Sequence, residues 1–241
     1  MTNNTLIVGA SGGIGSALVS QYASEGGSVI ALSRRGFHAD DWSDSVESIS
    51  MGEHTDSAIK AFCETLKDKG TKLNTVVITT GVLHNETLGL MPEKRLEDMS
   101  EQALSTYFAI NSIIPALWLK HLVTIMDPQH ATVICVSARV GSISDNKLGG
   151  WYGYRASKAA LNQLIKTASV EYRRRLKNAV LVSYHPGTVD TSLSVPFQKN
   201  VNAKKLFTPA FTAKKLFQHS GGLDREQACH FIDWDGQVVT W

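Results

Sequence analysis

One doubly wound α/β domain spanning residues 1–241, with a mostly parallel seven-stranded sheet and helices on both faces, is the fold class the sequence predicts. Three observations carry the prediction. Apolar strand-like runs alternate with amphipathic helical stretches along the whole chain. The first run breaks at once into a glycine-rich turn, and neither an internal repeat nor a linker divides the rest. With 43% hydrophobic and 19% charged residues, the chain suits one sizeable core.

The first strand is Leu6-Ile7-Val8, which runs into Gly9-Ala-Ser-Gly-Gly-Ile-Gly15. A helix follows, with Ile14, Ala17, Leu18, Gln21 and Tyr22 along one side. Strand, glycine turn and helix in this order form the first unit of a dinucleotide-binding fold. Gly9, Gly13 and Gly15 permit a tight turn and close backbone approach, and Ser11 and Ile14 share the turn. The helix N-terminus then offers N–H groups to a pyrophosphate. A purely structural tight turn is the alternative reading.

The second strand, Val29-Ile30-Ala31-Leu32, ends in Ser33-Arg34-Arg35-Gly36. The residue that reads the adenosine ribose lies about 20 positions past the glycines. A carboxylate there would bind the ribose 2′-hydroxyl of NAD(H). Here a small hydroxyl, Ser33, precedes two guanidiniums that pair well with phosphate. The pattern favours NADP(H) over NAD(H). Otherwise Arg34 and Arg35 are a solvated loop.

Residues 37–55 are polar, with Val46, Ile49 and Met51 suggesting a short third strand. Asp56 to Lys69 is an amphipathic helix carrying Ala58, Ile59, Phe62 and Leu66 at core spacing. Thr75-Val-Val-Ile-Thr-Thr-Gly81 is a buried fourth strand running into a turn at Thr80 and Gly81. Leu104 to Ile125 is expected as one long helix bent at Pro115, since proline removes an intrahelical bond. Within it, Asn111 is an amide among apolar neighbours, either a satisfied core group or a functional one. Thr132 to Ser137 and Ala179 to Tyr184 are the fifth and sixth strands, and the sixth ends at His185-Pro186-Gly187. Phe231-Ile232 and Val238-Val239 flank Asp235-Gly236 as a last strand and turn.

Between the fifth and sixth strands, Leu161, Leu164, Ile165 and Ala168 recur at helical spacing after Tyr154-Arg155-Ala156-Ser157-Lys158. Residues four apart share a helix face, so Tyr154 and Lys158 point into the same space. A phenol titrates near pH ~10. An ammonium beside it is expected to draw that value toward neutrality and make Tyr154 a general acid/base. The plain alternative is a common surface pair.

Several function classes are disfavoured. The net charge of +2 gives no argument for nucleic acid or a membrane surface. Arg173-Arg174-Arg175 is expected as a solvated face that also suits a helix C-terminus. Three cysteines without a CxxC, and scattered histidines, point to neither a disulfide framework nor a metal site. A polar Thr-Asn-Asn-Thr precedes Leu6, and no apolar run nears the ~18 residues a membrane span needs, so a cytoplasmic protein without a leader is expected.

Gly9-x-x-x-Gly13-x-Gly15, Asn111, Tyr154-x-x-x-Lys158 and Pro186-Gly187-x-Val189-x-Thr191 stand in one order. Together they resemble the short-chain dehydrogenase/reductase family, a Rossmann-fold family, over essentially the whole chain. Ser-Ala-Arg-Val-Gly-Ser-Ile and the terminal Asp233-Trp-Asp-Gly236 resemble its branch of sniffer-type carbonyl reductases and C-factor-like signalling proteins. The resemblance implies hydride transfer between the nicotinamide and a small carbonyl or alcohol, with Tyr154 moving the proton. It implies that Lys158 lowers the Tyr154 pKa and contacts the nicotinamide ribose, and that Asn111 holds a water behind Lys158. Val189 and Thr191 would fix the carboxamide. It also implies a homodimer or homotetramer, paired through the helices at 104–125 and 154–176.

Three departures accompany the resemblance. The family's catalytic Ser position is Ala138, leaving Ser137 or Ser142 as candidate substitutes. Ile78-Thr79-Thr80-Gly81 stands where the family has Asn-Asn-Ala-Gly, and no Asp ends the third strand, where the family often contacts adenine. The apolar segment 192–217 is read as a lid over the site, or as a helix and loop packed on the core. The second functional reading is a dinucleotide-binding signalling or sensor protein with little turnover.

Overall fold

The computed structural model describes residues 4–37, 39, 42 and 44–241. Nine strands occur among them: β1 (Asn4–Val8), β2 (Ser28–Ser33), β3 (Val46–Ser50), β4 (Thr75–Ile78), β5 (Thr132–Val136), β6 (Val180–His185), β7 (Thr188–Val189), β8 (Leu206–Phe207) and β9 (Cys229–Asp233). Seven of them form one parallel sheet in the order β3-β2-β1-β4-β5-β6-β9, while β7 and β8 pair separately. Period-two alternation splits their side chains between two cores. Leu6, Val8, Ile30, Leu32, Val76 and Ile78 face one side. Ile7, Val29, Ala31 and Val77 face the other.

Six helices close these faces: α1 (Gly13–Ser24), α2 (Asp56–Asp68), α3 (Glu101–Phe108), α4 (Ile114–Leu122), α5 (Tyr152–Arg175) and α6 (Pro209–Gly221). Ile59, Trp118, Leu161 and Ile165 bring α2, α4 and α5 into the first core. Leu18, Val19 and Leu216 bring α1 and α6 into the second. Each such side chain contributes about 1.5–3 kcal/mol on burial. Helix starts follow local chemistry: the Thr55 hydroxyl accepts from Ala58 N at the head of α2, and Ser100 from Ala103 N at the head of α3.

Two expectations change. The single helix over 104–125 is three pieces: α3, a π-helical turn over Ala109–Ile113, and α4. The interruption precedes the proline because Pro115 has no N–H for the Asn111 carbonyl four residues back. The Ile114 N–H instead reaches the Ala109 carbonyl, and this wide turn carries Asn111. Arg174 and Arg175 are exposed as expected, but Arg173 is half-buried. Its guanidinium donates to the carbonyls of Lys177, Arg225 and Glu226, tying the end of α5 to the loop before β9.

The segment 192–217 divides. Its first part holds two short 3₁₀ turns and β8; its second is α6, whose Ala213 and Leu216 enter the core against α1. The strand order reverses between β1 and β4, which opens a crevice beyond their C-terminal ends.

Candidate active site

The crevice has a volume of about 700 Å³ and begins at the glycine turn. Gly9 has φ +92°, and a Cβ there would lie 2.5 Å from Thr79 Oγ1. A Cβ on Gly15 would meet the Gly9 carbonyl oxygen at 2.2 Å, so the first turn of α1 packs directly on the loop before it. No side chain caps α1 and no acid lies in its first turn. Its N–H groups and positive dipole end are therefore unneutralised where they meet the crevice. Ser11, Gly13, Ile14, Arg34, Thr80 and Gly81 line the same space, and the Thr80 hydroxyl is buried with no partner.

Ser33 is the last residue of β2, and its hydroxyl is buried without a partner. Arg34, one residue on, lines the crevice. His54 lines it too, with Nδ1 3.1 Å from the Trp118 indole nitrogen. The sequence reading missed His54 because it sought an acid after the third strand and no local pattern marks a histidine there.

The segment after β6 returns to the glycine turn. Gly187, at φ +75°, admits Phe207 where a Cβ would clash at 2.6 Å. Pro186, Gly187 and the buried Val189 carry the chain to Thr191, whose methyl would touch a Cβ on Gly13 at 2.7 Å. Thr191 reaches the crevice; the other three stand behind it.

At Gly81 the crevice approaches Lys158 and Asn111, which like Tyr154 are buried and stand behind its wall. A Cβ on Gly81 would lie 3.4 Å from both Asn111 Oδ1 and Lys158 Nζ. The Asn111 side chain is fully engaged: Oδ1 accepts from Val82 N at 2.8 Å, and Nδ2 donates to Val82 O and Ser157 Oγ. Both hydrogens of its amide are committed, so Asn111 can hold a water only through an oxygen, as an acceptor.

Lys158 Nζ donates to the Val136 carbonyl at 2.9 Å and lies 5.9 Å from the centre of the Tyr154 ring. Burial brings the ammonium down from 10.5 to about 8. Tyr154 moves opposite to expectation: burial, with Tyr107 beside it, pushes the phenol well above its ordinary value. In this geometry desolvation outweighs an ammonium that is itself weakened and held by a strand carbonyl.

Tyr154 sits in a small apolar cluster with Val82, Leu83, Leu90, Tyr107 and Ala138, flanked by Trp151 and Phe197. Glu93 holds the start of α5. Its carboxylate accepts from Gly153 N at 3.1 Å, and its carbonyl accepts from Trp151 N, whose φ of 55° is left-handed. Ala138 has no hydroxyl to offer beside Tyr154. Ser137 is no substitute, because its hydroxyl is buried and donates to Asn162 Oδ1 at 2.6 Å. Ser142 bonds with Ser144, Thr240 and Asp145 N, which commits it to the C-terminal segment.

The parallel sheet, with a glycine-lined crevice where its strand order reverses, is of the doubly wound type. Residues 3–202 match the short chain dehydrogenase family, and the chain belongs to it. A 1-hydroxy-2-glutathionyl-2-methyl-3-butene dehydrogenase of Rhodococcus sp. (strain AD45) is 27% identical over 241 residues, covering 99% of this chain and all of that protein. Among solved structures, the carbonyl reductase Sniffer of D. melanogaster superposes with a TM-score of 0.83 at 20% identity, over the full length of both chains. NADPH-bound carbonyl reductase from chicken fatty liver superposes at 0.82 with 22% identity, covering all of this chain and 94% of that one. At these identities the two structures establish a shared fold.

Proposed function

We propose that the protein is an NADP(H)-dependent reductase of small or medium apolar carbonyl compounds, with Tyr154 as the proton donor. The observation that carries the reading is the meeting, at Gly81, of the glycine-lined crevice with Lys158 and Asn111, one helical turn from Tyr154.

The residues fit a phosphorylated dinucleotide. Glycines let the turn pack tightly on Thr79 and Thr191 at the edge of the crevice, the head of α1 supplies N–H donors for the pyrophosphate, and the orphaned Thr80 hydroxyl needs a partner. Arg34 in the crevice wall suits a 2′-phosphate, in line with the NADPH held by the chicken reductase of the same fold. When bound, the nicotinamide supplies the hydride.

The chain's own groups handle the proton. A phenol held above its ordinary pKa stays protonated at neutrality and donates only as negative charge grows on the carbonyl oxygen, which suits reduction over alcohol oxidation. Lys158, near 8, exchanges protons close to working pH and can resupply Tyr154. The Asn111 main-chain carbonyl would steady a water behind Lys158. Half-buried Trp151 and Phe197, packed edge-on beside Tyr154, would give the substrate an apolar, aromatic wall.

The test is NADPH oxidation against aldehydes, ketones and quinones. Tyr154→Phe should lower kcat by about 10²–10⁴-fold while the NADPH affinity is unchanged. Turnover that survives the substitution would exclude Tyr154 as the donor.

A further inference from the structure

We infer that the Asp233–Arg139 ion pair, reaching in from the end of β9, positions Lys158 by holding the segment 136–141 against α5; the inference rests on the roles proposed above for Tyr154 and Lys158. That segment touches both residues. The Val136 carbonyl receives Lys158 Nζ at 2.9 Å, and Ala138 packs in the Tyr154 cluster. Beyond Ala138 the chain makes one 3₁₀ turn, Arg139–Gly141, closed by bonds from Gly141 N to Ala138 O and from Ser142 N to Arg139 O. A Cβ on Gly141 would lie 2.8 Å from the carbonyl carbon and the Cβ of Lys158, so the turn sits directly on the lysine's own backbone. Close-packed surfaces leave no slack, and a shift of the turn is felt at Lys158.

The turn is held from two sides. Toward α5, Asn162 donates to the Gly141 carbonyl at 3.3 Å and accepts from the Ser137 hydroxyl at 2.6 Å. On the sheet side, Arg139 Nη2 donates to Asp233 Oδ2 at 2.7 Å. Asp233 is buried, and its other oxygen, Oδ1, accepts from Asp235 N and Gln237 N at 3.0 Å each. Backbone donors thus orient the carboxylate, and Oδ2 is left to face the guanidinium. Since β6 lies between β5 and β9, the pair spans a strand of the sheet.

The Arg139 side chain is 44% exposed, and an ion pair so open to water adds little to global stability. Asp145, 3.6 Å from the other guanidinium nitrogen and exposed, adds less. What the pair supplies is a fixed direction for the turn.

Titration of Lys158, followed by NMR of its ¹³Cε methylene, separates position from charge. Asp233→Asn keeps an oxygen for the two backbone donors and removes the charge that holds Arg139; Arg139→Met removes the other partner. Lys158 has Cys135 of β5 and Tyr154 of its own helix as titratable neighbours, and the variants alter neither. A loosened turn admits water to the ammonium, so both variants should move the Lys158 pKa up from about 8 toward 10.5, by about one unit. Charge alone would move it in opposite directions, since losing the Asp233 carboxylate disfavours an ammonium and losing Arg139 favours it. Should Asp233→Asn not fold, Arg139→Met in about 1 M salt decides, because such salt screens charges beyond ~3 Å and does not restore a displaced turn. In turnover, both variants should lower kcat about tenfold with NADPH affinity unchanged, and Arg139→Lys should recover part of the loss. A Lys158 pKa that stays put, that moves oppositely in the two variants, or that moves in Arg139→Met only at low salt would overturn the inference. No turnover in the unaltered protein would instead remove the reductase reading, and the titration would still decide whether the pair positions Lys158.

Discussion

At the scale of single residues, Ala138 bears most directly on rate. It is buried against Tyr154 without a hydroxyl, and the neighbouring serines are committed to Asn162 and to the C-terminal segment. On the proposed reading, the substrate oxygen therefore has one side-chain donor where a second could stand. Removing one such donor typically costs about 10²–10³ in kcat. Ala138→Ser is expected to raise kcat for carbonyl reduction by about tenfold or more, with NADPH affinity unchanged, as read by steady-state kinetics. The identities of Tyr154 and Lys158 were legible from their spacing on a helix. Their protonation was not, because burial by distant side chains sets it and reverses the shift expected for the tyrosine.

At the scale of elements, α5 shows why a helix start can hide from local reading. Trp151 at its head supplies no side-chain cap; Glu93, 60 residues earlier, accepts from Gly153 N and holds Trp151 in its left-handed conformation. Glu93→Ala would leave the buried Gly153 N–H unpaired and should cost about 1–3 kcal/mol, measured as a shift in the urea unfolding midpoint. The π turn at Ala109–Ile113 was legible only in part. Pro115 announced an interruption, but its exact form depends on Asn111 being pinned to Val82 and Ser157 on other elements. By contrast α1, α2 and β1 to β6 were readable within a few residues, since their apolar periods match the two faces they bury.

At the scale of the whole molecule, the site's chemistry is linked to global stability. Lys158 is almost fully buried, with a folded-state pKa of about 8 against 10.5 for the free side chain. Between those values the unfolded chain binds more protons, so stability rises with pH through this window, and the penalty of a buried ammonium is complete below about 8. The unaltered protein should gain about 3 kcal/mol relative to Lys158→Met between pH 7.5 and 10.5, as read by urea unfolding at each pH. The sequence by itself determined the alternation of strands and helices, the glycine turn, the Tyr154–Lys158 spacing and hence the family, because each depends on residues near one another in the chain. Tertiary structure alone decided that the Ser33 hydroxyl is buried without a partner, that both amide hydrogens of Asn111 are committed, that His54 enters the crevice and that Glu93 caps α5. The physical reason is common to all four: which partner a polar group meets, and how much water it keeps, is set by residues tens of positions away that only the folded sheet brings into contact.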